Sequence, residues 1–421
     1  MTSAVEFIFS LERFGMKFGL ANIARLCAAL GHPETAFPSI IVAGTNGKGS
    51  VTAMVDAAMR AAGHRTARYT SPHLVRIEER FVIDGREVDP ATLEAAAETV
   101  KRAAEDLVAS GTLAALPTFF ECTTAIAFVL FRDAGVDLAI LEVGLGGRLD
   151  ATNVVSPIAA AIVSIDFDHQ AQLGNTLTSI AAEKAGVIKP GIPVVCGPLP
   201  AEALAVIQAV CADRGARLIR TDQDARLAAR VAAIPLALAG EHQRANAAVA
   251  LQLLDLIDDD ATLGLAVSAE AMRAGLMTAS WPGRLERFVL DGGRVLIDAA
   301  HNPAGARALA SYLRETEPDG VTLVFGAMHD KAIDEMLLAL VPSAHTIVCT
   351  TAPSARAASA AELAAMAAAV RTPSTRVEAI DDPIAAVRHA STMGRTVVVA
   401  GSIFLIGPVR AWLARDILRS S

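Results

Sequence analysis

The sequence predicts an α/β fold in two domains, and three features carry that prediction. Short apolar runs alternate with longer amphipathic ones, a glycine-rich turn joins an early apolar run to a helical pattern, and a Pro-Gly break falls near residue 282. In the first region Ser39–Ala43, Asp137–Val143, Ala159–Ile165 and Ile192–Cys196 read as strands. In the second, Arg294–Ala299, Val321–Phe325, Thr346–Cys349 and Thr396–Ala400 do. Nearly unbroken Val, Ile, Leu and Ala suits parallel strands covered on both faces. Between strands, Pro90–Ala109 puts Leu93, Ala96, Ala97, Val100, Ala104, Leu107 and Val108 on one helical face. Such alternation implies a doubly wound parallel sheet. Met277–Gly283 marks the boundary, giving an N-terminal domain over 1–281 and a C-terminal domain over 282–421.

Composition narrows the function classes. With 53% hydrophobic and 19% charged residues among 421, the chain has apolar material for large cores. The late apolar run Val397–Ile406 is broken by Gly401 and Ser402 and falls short of the roughly 20 residues that span a bilayer. Glu6, Glu12 and Arg13 interrupt the start, so no secretory leader is expected. Five cysteines (Cys27, Cys122, Cys196, Cys211, Cys349) form no CxxC pair, which points to buried free thiols and a cytoplasmic setting. A net charge of -8 excludes a general nucleic-acid binder.

The strongest local signal is Gly44-Thr45-Asn46-Gly47-Lys48-Gly49-Ser50, fed by the strand Ile40–Ala43 and followed by a helical run to about Ala62. A strand, glycine turn and helix in this order aim backbone N–H groups and the helix dipole at an anion. Glycines let the main chain approach phosphate oxygens, and Lys48 adds a mobile cation. The pattern departs from GxxxxGK[ST], because Gly49 follows the lysine and the hydroxyl comes at Ser50. A plain strand–turn–helix corner is the competing reading. Agreement of all four parts favours nucleotide phosphate binding, so the N-terminal domain is read as P-loop NTPase-like.

Further polar residues stand at strand ends, where open α/β sheets gather ligands. Glu142 closes an apolar run and needs a cationic partner if buried. A nucleotide-bound Mg²⁺ and a salt bridge to Arg148 or Lys184 are the alternatives. His169 by itself reads equally as a hydrogen-bonded core residue, since Mg²⁺ prefers oxygen. Lys184, in a largely apolar helical stretch, would ordinarily snorkel or pair with an acid. Asp298 and His301 follow a strand of the second region, where they suit a ribose, an amine or a nucleotide. Asn302-Pro303 there also fits helix capping. Arg284 offers a cation for phosphate charge, and Asn246 would need a partner if buried.

Together these segments resemble the folylpolyglutamate synthase/dihydrofolate synthase family of the Mur ligase superfamily. The likeness is carried by GTNGKGS (44–50), YTSPHL (69–74), LEVGLGGRLDATN (141–153), DFDHQAQLGNT (166–176), EKAGVIK (183–189), HQRANAA (242–248), PGRLE (282–286), DAAHNP (298–303), GAMHDKA (326–332) and GSIFLIGPVR (401–410), in the family's order over nearly the whole chain. The resemblance implies a P-loop N-terminal domain, a smaller Rossmann-like C-terminal domain and ATP with two Mg²⁺ between them. It makes Gly47, Lys48, Gly49 and Ser50 phosphate contacts, Ser71, Glu142 and His169 metal ligands, and Lys184 a carbamylated lysine. It makes Asn246, Arg284 and Asp298 ATP contacts, with Lys48, Lys184 and His301 catalytic. Gly19, Leu20, Phe120, Glu121, Asp150, Ala151, Thr152 and Asn153 then belong to the pterin site.

The implied reaction joins L-glutamate to dihydropteroate, or to the γ-carboxylate of a tetrahydrofolate, in a monomer without nucleic-acid or membrane partners. The intact pterin-region motif favours both activities. One departure is Asp330-Lys331-Ala332, where many relatives carry a second acid. A Mur-type ligase acting on another substrate and a regulatory nucleotide binder are the rival readings. The DAAHNP string and the metal residues weigh against the second.

Overall fold

The computed structural model describes residues 3–15, 19–290 and 292–420. The chain forms two compact units, Met1–Ala237 with Arg244–Ser280, and Leu238–Gln243 with Trp281–Ser421.

The strands of the first unit are β1 (Ser39–Ala43), β2 (Thr66–Tyr69), β3 (Phe81–Ile83), β4 (Arg86–Glu87), β5 (Leu138–Glu142), β6 (Ala159–Ile162), β7 (Val194–Cys196) and β8 (Leu218–Arg220). They make one eight-stranded sheet in the order β4-β3-β2-β5-β1-β6-β7-β8. The six strands from β2 to β8 in that order are parallel, while β3 and β4 fold back antiparallel at one edge. β1 lies between β5 and β6, with Val42 beside Glu142 and Ala43 beside Ile162. The strand order changes direction around β1, so the C-terminal ends of β1, β5 and β6 open on the crevice where such sheets take ligands. Every residue of β1 and of β5 is buried, which the apolar sequence of both makes favourable.

Helices cover the sheet for reasons visible in their sequences. Pro90–Ala109 starts where Asp89 accepts hydrogen bonds from Ala91 N and Thr92 N, with Pro90 in the first turn. It buries Leu93, Ala96, Ala97, Val100 and Ala104. Phe119–Ala134 is opened by a capping box between Thr118 and Glu121 and closed by Gly135 in the left-handed conformation.

The second unit carries β9 (Glu286–Leu290), β10 (Gly293–Ile297), β11 (Val321–Phe325), β12 (Ala344–Cys349), β13 (Arg376–Ala379) and β14 (Val397–Ala400). Their order is β13-β12-β11-β14-β10-β9, parallel throughout except that β9 runs against β10. Leu296, Leu323, Phe325, Ile347 and Val398 lie in its core. All five cysteines are buried and free. No helix among the described residues is long and apolar enough to cross a membrane.

Candidate active site

The loop after β1 is fixed by β6's continuation. Thr45 N donates to Ser164 O at 2.8 Å, Asn46 N donates to Ser164 Oγ at 2.9 Å, and that hydroxyl donates back to Asn46 O at 2.9 Å. The helix Lys48–Ala61 then begins at Gly47, whose φ is +85°. A β-carbon at Gly47 would lie 2.4 Å from Asn246 Oδ1 and 2.8 Å from Val163 Cγ1. Glycine is therefore required there twice, by conformation and by space. Asn246, buried on the helix His242–Asp259, is set directly against the phosphate-type loop.

Two lysines converge on one atom of this loop. Lys48 Nζ donates to Gly44 O at 3.1 Å and to Thr45 O at 3.2 Å, and Lys184 Nζ donates to the same Gly44 O at 3.0 Å. Lys184 comes from the helix Leu177–Ala185 and is only 4% exposed. Burial foremost, and then the Lys48 charge, push its ammonium down from the usual 10.5 to about 7, against the opposing pull of Asp168 and Asp150. The arrangement suits an anion near Gly44 and leaves Lys184 largely as a neutral amine above neutral pH. Arg148 instead pairs with Glu183 at 2.8 Å.

Ser71 and Glu142 are brought together from β2 and β5, with Ser71 N donating to Glu142 Oε2 at 3.4 Å. Glu142 is 5% exposed, and the buried Ser71 Oγ has no hydrogen-bond partner. A carboxylate beside an unsatisfied hydroxyl is a hard-oxygen pair that fits Mg²⁺, which takes few protein ligands and completes its shell with water and phosphate. His169 begins the short helix Gln170–Leu173 with φ +50°, its ring 3.8 Å from Asp168 and its side chain 42% exposed. Among the described residues no group of three or more His, Cys, Asp or Glu side chains is placed to hold a metal ion.

Beside Ser71 lies a cavity of about 520 Å³, within the roughly 300–1,000 Å³ typical of small-molecule sites. Its apolar walls include Phe119, Phe120, Leu149 and Leu173, and its polar ones Ser71, Arg80, Glu121, Arg148, Asp150 and Glu183. Gly19 and Ala151 also line it. Phe120 fits because Gly144 has no side chain, a β-carbon there falling 2.7 Å from the ring.

Three residues expected at the pterin site do not line this cavity. Leu20 packs into the apolar core. Thr152, fully buried, gives its N–H and hydroxyl to Asp150 Oδ1 at 3.0 and 2.5 Å. Asn153 Nδ2 ties together Arg148 O and Gly186 O, both at 3.1 Å. Asp150 accepts also from Gly144 N at 3.0 Å and Leu145 N at 2.9 Å. Those donors fill a carboxylate's capacity, so Asp150 shapes the glycine loop and offers a ligand little of its own. Glu121 is engaged through Oε2 alone, by Thr118 N at 2.7 Å and Thr118 Oγ1 at 2.9 Å.

In the second unit Asp298 is held by Leu285 N at 3.0 Å and Ala300 N at 2.9 Å. Burial raises its pKa, opposed by Arg284, those backbone bonds and His242. His242 is pushed down, mainly by burial. Arg284, His242 and Asp298 thus lie within electrostatic reach of one another. His301 Nδ1 lies 2.8 Å from Ala299 O, which places the hydrogen on that nitrogen. Asn302 caps the helix Pro303–Thr316 through Gly305 N at 2.8 Å.

The Mur ligase glutamate ligase domain model matches residues 283–403. The dihydrofolate synthase/folylpolyglutamate synthase of Bacillus subtilis is 35% identical over 427 residues, covering 97% of each chain. The chain belongs to the dihydrofolate synthase/folylpolyglutamate synthase family. A folylpolyglutamate synthase structure from Mycobacterium tuberculosis, complexed with ADP and AMPPCP, superposes with a TM-score of 0.87 at 33% identity, covering 97% of this chain and 99% of that one. A bifunctional family member with Mn, AMPPNP and L-glutamate bound gives 0.84 at 32% identity, covering 98% of each. The family's Mur ligase architecture, with N- and C-terminal domains, is therefore the fold of this chain. Two relatives are larger: the chain spans 42% and 51% of the probable bifunctional folylpolyglutamate synthase/dihydropteroate synthases of Haloferax volcanii and Halobacterium salinarum, at 38% and 36% identity over 82% and 97% of this chain.

Within this family frame, sequence reading had passed over His73 and Arg80. His73 lies within YTSPHL and Arg80 beyond it, but only the fold brings the strand-end loop and the cavity wall together.

Proposed function

We propose that this chain is an ATP-dependent ligase that joins L-glutamate to dihydropteroate and to the γ-carboxylate of tetrahydrofolates through an acyl phosphate. The observation that carries the reading is the contiguity of two sites in the first unit. Ser71 lines the acceptor-sized cavity and also donates to Glu142, which sits in register with the strand feeding the phosphate loop. An acid in the cavity would thus present its carboxylate beside the γ-phosphate of a bound nucleotide.

Water must be removed from a carboxylate before an amide forms, so the acid is first activated. A carboxylate oxygen takes the γ-phosphoryl group and ADP leaves; the glutamate amine then adds, loses a proton, and phosphate is expelled. Lys48 neutralises charge on the transferring group, and the backbone of Gly47, Gly49 and Ser50 cradles it. Mg²⁺, held by Ser71, Glu142 and His169, supplies Lewis-acid neutralisation when bound. Asn246, Arg284 and Asp298 hold the nucleotide, and His301 contacts nucleotide or substrate.

The neutral Lys184 amine adds to carbon dioxide and releases one proton to solvent, leaving an anionic carbamate. Its lowered pKa favours the neutral amine that this reaction needs, and the product would answer the Lys48 charge. Phe120 packs on the pterin, with Gly19, Glu121, Asp150 and Ala151 around it. The five buried free thiols support a reducing, cytoplasmic setting, and the reading requires no partner chain.

Acceptor carboxylate labelled with heavy oxygen tests the activation step. Label appearing in released phosphate is the expected result, and unlabelled phosphate from a competent reaction removes the acyl phosphate. For the carbamate, Lys184→Ala should lose turnover and regain part of it with short carboxylic acids. An intact-mass measurement showing only unmodified lysine in active enzyme would refute that assignment.

A further inference from the structure

Arg80 is 7% exposed, lines the cavity, and has no carboxylate partner among the described residues. Burying a guanidinium without an anion is costly, so its retention calls for an explanation. Its surroundings are built to hold it. It ends the turn Ile77–Arg80, and its carbonyl accepts from Thr70 N at 3.1 Å, one residue before Ser71. Its Nε donates to His73 Nδ1 at 2.9 Å, and its guanidinium carbon lies 5.2 Å from the centroid of the Phe119 ring. Those two contacts use the Nε–H and one face of the plane, leaving the fork of terminal N–H groups for a ligand.

None of the nearby carboxylates pairs with Arg80 among the described residues. Glu79 accepts from Leu74 N, Val75 N and Arg76 N at 2.6, 3.0 and 2.9 Å. Asp150 and Glu183 are held by the glycine loop and by Arg148, and Glu121 accepts from Thr118 through Oε2. The fork of Arg80 thus faces the cavity unpaired among the described residues, with neither these acids nor Glu12, the remaining acid of the lining, bonded to it.

We infer that Arg80 binds a carboxylate of the acceptor acid, and that His73 is the positioning residue that turns its guanidinium into the cavity. The inference rests on the cavity being the acceptor site, and it names the feature by which that site selects acids.

The test is calorimetric titration of the full chain, with Mg²⁺ and ADP present, using pteroate and its neutral carboxamide. Wild-type protein should prefer the acid by about tenfold or more, the discrimination expected of a charge-assisted bidentate contact. Arg80→Gln should abolish the preference by weakening the acid alone, and Arg80→Lys should retain only part of it. His73→Phe should lose part of the preference, while His73→Asn, whose amide oxygen still accepts from Nε, should restore some. ADP affinity and melting temperature report whether each variant is folded.

Equal weakening of acid and carboxamide in folded Arg80→Gln or Arg80→Lys would show a structural role and overturn the inference. So would unchanged acid affinity, while the proposed function would stand. If wild-type protein binds ADP but neither probe, the acceptor reading fails and this inference falls with it.

Discussion

Replacing Lys184 by methionine should change how stability depends on pH. Lys184 is buried, and its ammonium is lowered from 10.5 to about 7 in the folded chain. The unfolded chain therefore keeps a proton that the folded chain has released throughout the window from about 7 to 10.5. Where the unfolded state binds more protons, stability rises with pH, at about 1.4 kcal/mol per unit for one proton. From pH 7 to 9 this single group should contribute on the order of 3 kcal/mol of added stability in the wild type. Lys184→Met removes the titration and keeps the buried chain length. Denaturant unfolding at a series of pH values, in buffers purged of carbon dioxide, gives the difference between the two proteins and cancels the groups they share. The variant's advantage should be largest near pH 7 and shrink steadily toward pH 10. A difference that stays flat across the window would show that Lys184 remains charged, and would remove the physical basis for the proposed carbamate.

Lys48→Ala should stay folded and lose ligation, and by deleting the neighbouring charge it should move the Lys184 midpoint upward; a folded variant with normal turnover refutes the role. Gly47→Ala should cost about 1 kcal/mol or more for its left-handed backbone and drive Asn246 aside, lowering ADP affinity at least about tenfold by titration. Ser71→Ala deletes an unsatisfied buried hydroxyl, so stability should hold or rise by up to about 1 kcal/mol while the Mg²⁺ concentration needed for turnover increases. Unchanged Mg²⁺ dependence would take Ser71 out of the metal site.

The parts of the fold legible in the sequence were those whose burial is uniform. β1, β5, β11 and β14 are buried along their whole length, and their continuous apolar runs announce them. β4, β8, β9 and β13 are sheet edges with exposed or half-buried residues, and their mixed sequences carry no comparable period. β2 is interior, yet four residues including Arg68 are too few and too polar to stand out.

The site divides along similar lines. The phosphate-type loop was readable because its chemistry is contiguous in sequence. Its meeting with Asn246 and Lys184 was reached only through family resemblance, since each comes from a distant helix. Within LEVGLGGRLDATN, sequence could not separate residues that face the cavity from those that brace it. Asp150, Thr152 and Asn153 are adjacent, but the hydrogen bonds that turn them inward are a property of the folded loop. Arg80 carried no signal at all, because an arginine becomes informative only when buried without an anion.

The reaction proposed for this chain is glutamate ligation to a folate-class acid. Its most direct test is ADP release with MgATP and L-glutamate, comparing 7,8-dihydropteroate with tetrahydrofolate as acceptor and identifying products by mass. Turnover is expected with both, each product heavier by one glutamyl residue and ADP formed in step with it. Turnover with one acceptor alone would reduce the claim to a single activity. Folded, ATP-binding protein that turns over with neither would contradict it.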